Sequence, residues 1–411
     1  AGPARGGTPA HGLQLRGSLM RGDWTAHFSR FRSAAPERIN LAAHSHHDWP
    51  DVSFAAQELA WADAARLAGD KWSLVFGELI PAVQAGIARE LRLPDPSSIA
   101  FAPNTHEFLR RLLSCLPTNR TPRVLTTSAE FHTARRQLAR LAEEGLIQLD
   151  EIAAEPFATL PERLRTALIA GGHDLIYVSQ VLFNSGATSG DLAALASAVP
   201  SAETLLAIDG YHGYLALPTD LSAIADRAFY IAGGYKYAMA GEGCCFMHCP
   251  PGYGPRPRDT GWFAAFGALA APPGSSVGYS ADGGRFLGAT FDPCGLYRMR
   301  AVLAWLEANG LDAHHVHDHA ISLMQQFLSG LDTLTIPWLS PAQLITPFGN
   351  PAAHGNFLAF RTAGAGALEA ALAKHGIATD HRGDVLRFGF GLALSEGDVA
   401  GALERMKVLD A

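Results

Sequence analysis

Residues 209–243 read DGYHGYLALPTDLSAIADRAFYIAGGYKYAMAGEG, and the rest of the chain is organised around them. They follow an apolar run, TLLAI, with strand character, whose first charged residue is Asp209. Further on, a second apolar run, AFYIA, leads into Gly233, Gly234, Tyr235 and Lys236. The stretch therefore sets a carboxylate at one strand end and a lone lysine at another, joined by a helical or loop crossover. His212 shares the turn with Asp209.

Such a pair suits pyridoxal 5'-phosphate chemistry. An amine is needed to hold the cofactor aldehyde as a Schiff base, and a carboxylate keeps the pyridine nitrogen protonated. The plainer reading makes Lys236 a surface lysine and Asp209 a turn residue. The glycines beside Lys236, the lack of nearby lysines and the presence of His212 favour the first reading.

The 411 residues allow one large catalytic domain and a smaller one. A hydrophobic content of 48% with 17% charged residues is that of a globular chain. The net charge of −7 offers no basic footprint for nucleic acid or an acidic membrane. No apolar run is long enough to span a bilayer. Residues 1–23 are Gly-, Pro- and Arg-rich without an apolar core, and are expected to form a flexible tail. Five cysteines in so long a chain point to a reduced, cytoplasmic setting rather than a disulfide framework. Cys245 and Cys249 lack the second pair that a zinc site requires, so no metal is expected there.

Along the chain, INLAAHSHHDWPD (39–51) is an extended segment ending in histidines. His44 and His46 form an H-x-H pair, which a metallohydrolase could use to set two imidazoles on one strand face. No further ligand motif accompanies them, and contacts to substrate are the alternative. Helical periodicity follows over 52–67 and 79–91. In IAFAPNTHEFLRRLLSCL, Asn104 and Thr105 separate a strand from a helix, a place where a phosphate sits well, or where either residue simply caps the helix. The strand RVLTT (123–127) precedes Phe131 and an amphipathic helix. DLIYVSQVLFNSG, TLLAIDGYHG, AFYIAGGYK and GCCFMHC supply further strands, with helical DLAALASAV among them. This alternation predicts a mostly parallel sheet covered on both faces. Sites in such sheets gather at the carboxyl ends of strands, where Thr105, Phe131, Gln180, Asp209 and Lys236 all fall.

A Pro/Gly/Arg-rich excursion follows residue 250 and reads as a functional loop. After the helix LYRMRAVLAWLEANG, a further helix over 312–331 leads into a smaller α+β domain with strands NFLAFR and VLRFGF. Arg387 lies within the second of these, between apolar neighbours. A buried arginine needs an anionic partner, either a protein carboxylate or a substrate carboxylate.

The D-x-x-H of Asp209 and His212, the Tyr235-Lys236 pair before a glycine-rich turn, and RFLGAT (285–290) together resemble fold-type I pyridoxal phosphate enzymes of the class V aminotransferase group. The order of motifs is most similar to kynureninase, from about residue 39 to the C-terminus. The resemblance implies the aspartate aminotransferase-like α/β fold: a mostly parallel seven-stranded sheet with helices on both faces, plus a smaller α+β C-terminal domain. It divides the chain into an N-terminal segment at 24–95, a large cofactor domain at 96–310 and a small domain at 311–411.

By the same resemblance, Lys236 carries the Schiff base and shuttles the α-proton, and Asp209 pairs with the pyridinium. Asn104, Thr105, His212 and Tyr235 lie near the phosphate, Phe131 stacks on the ring, and Gln180 joins the cofactor set. Trp262 and Thr290 reach the site across a homodimer interface, and Arg387 binds the substrate carboxylate. The segment His44-Ser45-His46-His47 and Asp292-Pro293 depart from the kynureninase pattern, making His44, His46 and Asp292 candidates for substrate selectivity. No cysteine follows Cys294, where desulfurases of the group carry a nucleophilic one. The expected activity is kynureninase-like hydrolysis or β-elimination at carbon or sulfur. Alternatives are amino transfer, a metallohydrolase on His44 and His46, and a non-catalytic pyridoxal-binding protein.

Overall fold

The apolar runs of the middle of the chain become a single large sheet. A computed structural model describes residues 22–268, 276–334, 336, 339–350 and 354–409, so the expected tail lies outside the described residues except for Gly22 and Asp23. In chain order the strands are β1 (Ile39–Asn40), β2 (Ile99–Ala102), β3 (Arg123–Thr127), β4 (Gln148–Ile152), β5 (Leu175–Ser179) and β6 (Leu205–Asp209). There follow β7 (Ala228–Gly233), β8 (Cys245–His248), β9 (Phe357–Arg361), β10 (Ile377–Ala378), β11 (Asp380–Arg382) and β12 (Val385–Gly389).

Seven strands form the large sheet in the order β2-β8-β7-β6-β5-β3-β4. All neighbours are parallel except around β8, which runs antiparallel to β2 and to β7. Alternate residues of one strand serve opposite faces, as the pleat requires. Phe229 and Ile231 join the core with Phe108 and Leu138, whereas Ala228 and Tyr230 join the other with Leu164 and Leu195. Each fully buried Leu, Ile or Phe contributes about 1.5–3 kcal/mol, and both faces are filled with them.

A second core lies in the C-terminal part. There β11, β12 and β9 form an antiparallel sheet backed by the helices Ala313–Leu331, Ala365–Lys374 and Glu396–Met406. The chain's early segment is tied to this part, since β1 pairs with β10 and Ile39 and Leu41 enter its core.

The register decides where a site can form. Ser179 pairs with Asp209, Asp209 with Ile231, and Gly233 with Cys245, so these strand ends lie along one edge of the sheet. Between Asp209 and β7 the chain makes turns and one short 3-10 helix, Ser222–Ile224, so the crossover is a loop.

Candidate active site

A cavity of about 800 Å³ opens at that edge. Asn104, Thr105, Phe131, Asp209, His212, Tyr235 and Lys236 all line it, seven residues that the sequence reading singled out. Asn104 ends β2's loop and caps the helix Thr105–Ser114, its Oδ1 accepting from the Glu107 amide at 3.1 Å. Thr105 and His106, which start that helix, line the cavity, so the positive end of the helix lies at its wall.

Lys236 follows β7 and is only 5% exposed. Its Nζ lies 2.8 Å from Nε2 and 3.0 Å from Nδ1 of His212. The rings of Tyr211, Phe131 and Tyr235 surround the amine, with centroids at 4.8, 5.6 and 5.6 Å. Burial penalises its charged form and holds the amine down to about 7, against the pull of Asp209. A neutral lysine amine is a nucleophile and a base at physiological pH. His212 is itself pushed well below its ordinary range, by burial first and then by the Lys236 charge, so its ring is neutral.

Asp209 ends β6 and is held by two donors. The Tyr211 amide donates to Oδ1 at 2.9 Å and the Tyr177 hydroxyl to Oδ2 at 3.0 Å. Burial raises its carboxyl above the usual range, opposed by those donors and by Lys236. The turn that carries Asp209 and His212 is buttressed from behind by Gln180. A Cβ on Gly213 would come 2.0 Å from Gln180 Oε1, so only glycine fits there.

Not every expected residue lines the cavity. Gln180 does not: its amide donates to Thr219 at 2.9 Å and accepts from Tyr230 at 2.8 Å, and it supports the turn instead. His44 is fully buried and turned toward Asp380, at 2.9 Å. His46 points outward, stacks on Tyr235 at 5.3 Å and sits 3.9 Å from Glu242 on the cavity rim. The two imidazoles of the H-x-H pair thus diverge. Among the described residues no three His, Cys, Asp or Glu side chains gather as metal ligands. Asp292 is exposed and accepts from the Cys294 amide, at a helix start. Trp262 and Thr290 are exposed and lie outside the cavity of their own chain. Arg387 is 2% exposed, salt-bridged to Asp380 and absent from the cavity lining, and it packs against Phe183, which lines it.

Two buried carboxylates beside the site also escaped the sequence reading. Glu130 is buried, accepts from Thr127 Oγ1 at 2.7 Å and Ser179 Oγ at 2.5 Å, and is pushed up to about 7 by burial. It directly precedes Phe131, but a lone glutamate in the loop after β3 carries no signal of burial. Asp380 is the other, hidden among the charges of TDHRGD.

The model of the family described as aminotransferase class V matches residues 73–379. The chain belongs to the class V aminotransferase family. No curated protein matches it. Among solved structures, it is similar to the cystine C–S lyase C-DES in complex with its reaction product cysteine persulfide. That likeness has a TM-score of 0.74 at 17% identity over 91% of this chain and 98% of that one. It is also similar to the cysteine desulfurase CsdA from Escherichia coli, with a TM-score of 0.72 at 17% identity over 93% and 98% of the two chains. A cysteine desulfurase from Thermococcus onnurineus NA1 gives 0.71 at 16% over 93% and 97%.

As a class V enzyme the protein depends on pyridoxal 5'-phosphate and has the fold of type I. The side chains present fit that cofactor. A buried amine, with no carboxylate in contact among the described residues, shares one cavity with a buried carboxylate held by two donors, an aromatic ring and a helix N-terminus. No helix is long and apolar enough to cross a membrane among the described residues.

Proposed function

We propose that this class V enzyme is a carbon–sulfur β-lyase acting on an amino acid. The observation that carries the reading is Lys236, a buried amine held near neutrality beside His212 and within the aromatic wall. Pyridoxal 5'-phosphate, when bound, supplies an aldehyde for amine exchange and an electron sink for charge at the substrate α-carbon. Lys236 Nζ then takes the proton from the α-carbon and delivers it to the departing side. Asp209 would hold the protonated ring nitrogen, and Phe131 would pack against the ring. Asn104 and the free first-turn amides of the helix Thr105–Ser114 would hold the phosphate, with Tyr235 close by.

Arg387 binds the substrate α-carboxylate in this reading. The chain acts as a homodimer, in which Trp262 and Thr290 complete the site of the neighbouring subunit. Sulfur chemistry is supported by the relative solved with cysteine persulfide as product, and by this chain's lack of any cysteine after Cys294. Without a thiol there to receive sulfur, the sulfur leaves with the product. Kynureninase-like hydrolysis and amino transfer use the same Lys236 and Asp209.

The test is to incubate the cofactor-loaded protein with L-cystine, L-cysteine, L-kynurenine and a keto-acid acceptor, and to identify products. Keto acid with persulfide or sulfide supports the lyase. Anthranilate from L-kynurenine, or amino transfer without sulfur release, overturns it in favour of the corresponding alternative.

A further inference from the structure

Beside the cavity lies a buried chain of three side chains that the lysine chemistry does not use: His44, Asp380 and Arg387, at 0%, 9% and 2% exposure. Asp380 and Arg387 are register partners across β11 and β12, so their side chains meet on one face of the small sheet. Arg387 Nε donates to Asp380 Oδ1 at 2.8 Å and Nη2 donates to Oδ2. Nη1 donates to the carbonyl of Phe183, whose ring lines the cavity. A guanidinium has five N–H donors in a rigid fork. Asp380 takes two and Phe183 one, which leaves one donor on each terminal nitrogen. Donors on both terminal nitrogens are what a second carboxylate can use.

The Arg387 charge is felt across the cavity wall, where it lowers Lys236, His212 and His132. His44 fixes the other end of the chain. Its Nε2 lies 2.9 Å from Asp380 Oδ1, and its ring lies flat on Phe357 at 4.7 Å. The ring packs close against the backbone of Gly389, where a Cβ would come 2.3 Å from its Nδ1, so only glycine leaves room for it. Burial, opposed by Asp380, holds the imidazole down to about 4, so the ring is neutral and donates from Nε2. Among the described residues its Nδ1 has no hydrogen-bond partner.

We propose that Asp380 and His44 are positioning residues that lock Arg387 as a preset fork for the substrate α-carboxylate, so that the site selects amino acids over amines lacking that group. The proposal rests on the reading of Arg387 given above. Arginine has many rotamers to lose, and an arginine ordered beforehand does not lose them on binding. Releasing it should therefore weaken carboxylate binding about ten- to a hundredfold and leave amine binding alone. The opposite idea, that Asp380 screens the arginine from substrate, predicts tighter carboxylate binding when Asp380 is neutralised.

The experiment titrates the cofactor-loaded protein with L-alanine and with ethylamine, which differ only in the carboxylate, and follows the visible absorption. The preference for alanine is the ratio of the two apparent dissociation constants. Asp380→Asn should lower that preference at least about tenfold through alanine alone, and His44→Gln should lower it in the same direction by less. Arg387→Gln should abolish it. Cofactor absorption and the thermal midpoint report folding for each variant, and His44→Gln carries the test if Asp380→Asn does not fold. An unchanged or increased preference in the Asp380 and His44 variants, with loss in Arg387→Gln, overturns the positioning role and leaves Arg387 as anchor. Retained preference in Arg387→Gln overturns the anchor and the positioning role together.

Discussion

Lys236 Nζ lies within 3.0 Å of both ring nitrogens of His212, although neither residue is near the other in sequence. Adjacent parallel strands, β6 and β7, deliver them: His212 from the turn after one and Lys236 from the end of the other. The contact joins a neutral imidazole to an amine that burial holds down to about 7, and it sets the amine at the cavity wall rather than in water.

Stability of the cofactor-free protein should rise with pH because of Lys236. Its folded pKa is about 7, against an ordinary value of 10.5. Between those values the unfolded chain binds more protons than the folded one, so unfolding becomes harder as pH increases. Thermal midpoints from pH 7 to 10, measured without cofactor, should climb in the wild type. In Lys236→Met that climb should flatten. Parallel slopes in the two proteins would show that the amine is not desolvated.

Glu130 has the opposite sign. Its folded pKa is raised to about 7 from 4.5, so the folded protein binds more protons over that window and loses stability as pH rises through it. Glu130→Gln keeps acceptors for Thr127 and for the Ser179 amide while removing the buried charge. The variant should match the wild type near pH 5 and exceed it by about 1–3 kcal/mol at pH 8 in denaturant unfolding. A variant less stable at pH 8 would mean that the charged form is the favoured one.

Phe131 packs edge-on to Phe183 at 5.4 Å and faces the Lys236 amine. Phe131→Ala should weaken pyridoxal 5'-phosphate binding about tenfold, the scale of one lost aromatic contact. Equilibrium dialysis against the cofactor measures it, and unchanged affinity would place the ring elsewhere.

The parallel sheet was legible because its central strands are continuous apolar runs, and the residues just after them had to line one edge. Thr105, Phe131, Asp209 and Lys236 follow that rule, and all four line the cavity. The edge strand β4 was not, since QLDEI is half exposed and carries no apolar run. Gln180 obeyed the same rule and yet turned inward, because Tyr230 and Thr219 offer its amide two partners and Gly213 leaves room for it. Position after a strand fixes the edge, not the direction of the side chain. His44 shows the related limit: H-x-H spacing puts two imidazoles on one face only in a regular strand, and β1 ends at Asn40. The partner of Arg387 was left open between protein and substrate, and only the β11–β12 register identifies Asp380.

Borohydride reduction of the loaded protein, followed by peptide mapping, shows whether Lys236 is the residue that bonds to pyridoxal 5'-phosphate. The expected result is a yellow protein whose colour borohydride bleaches, with one phosphopyridoxyl group on the peptide containing Lys236. A protein that stays colourless with added cofactor, or an adduct on a different lysine, would contradict it.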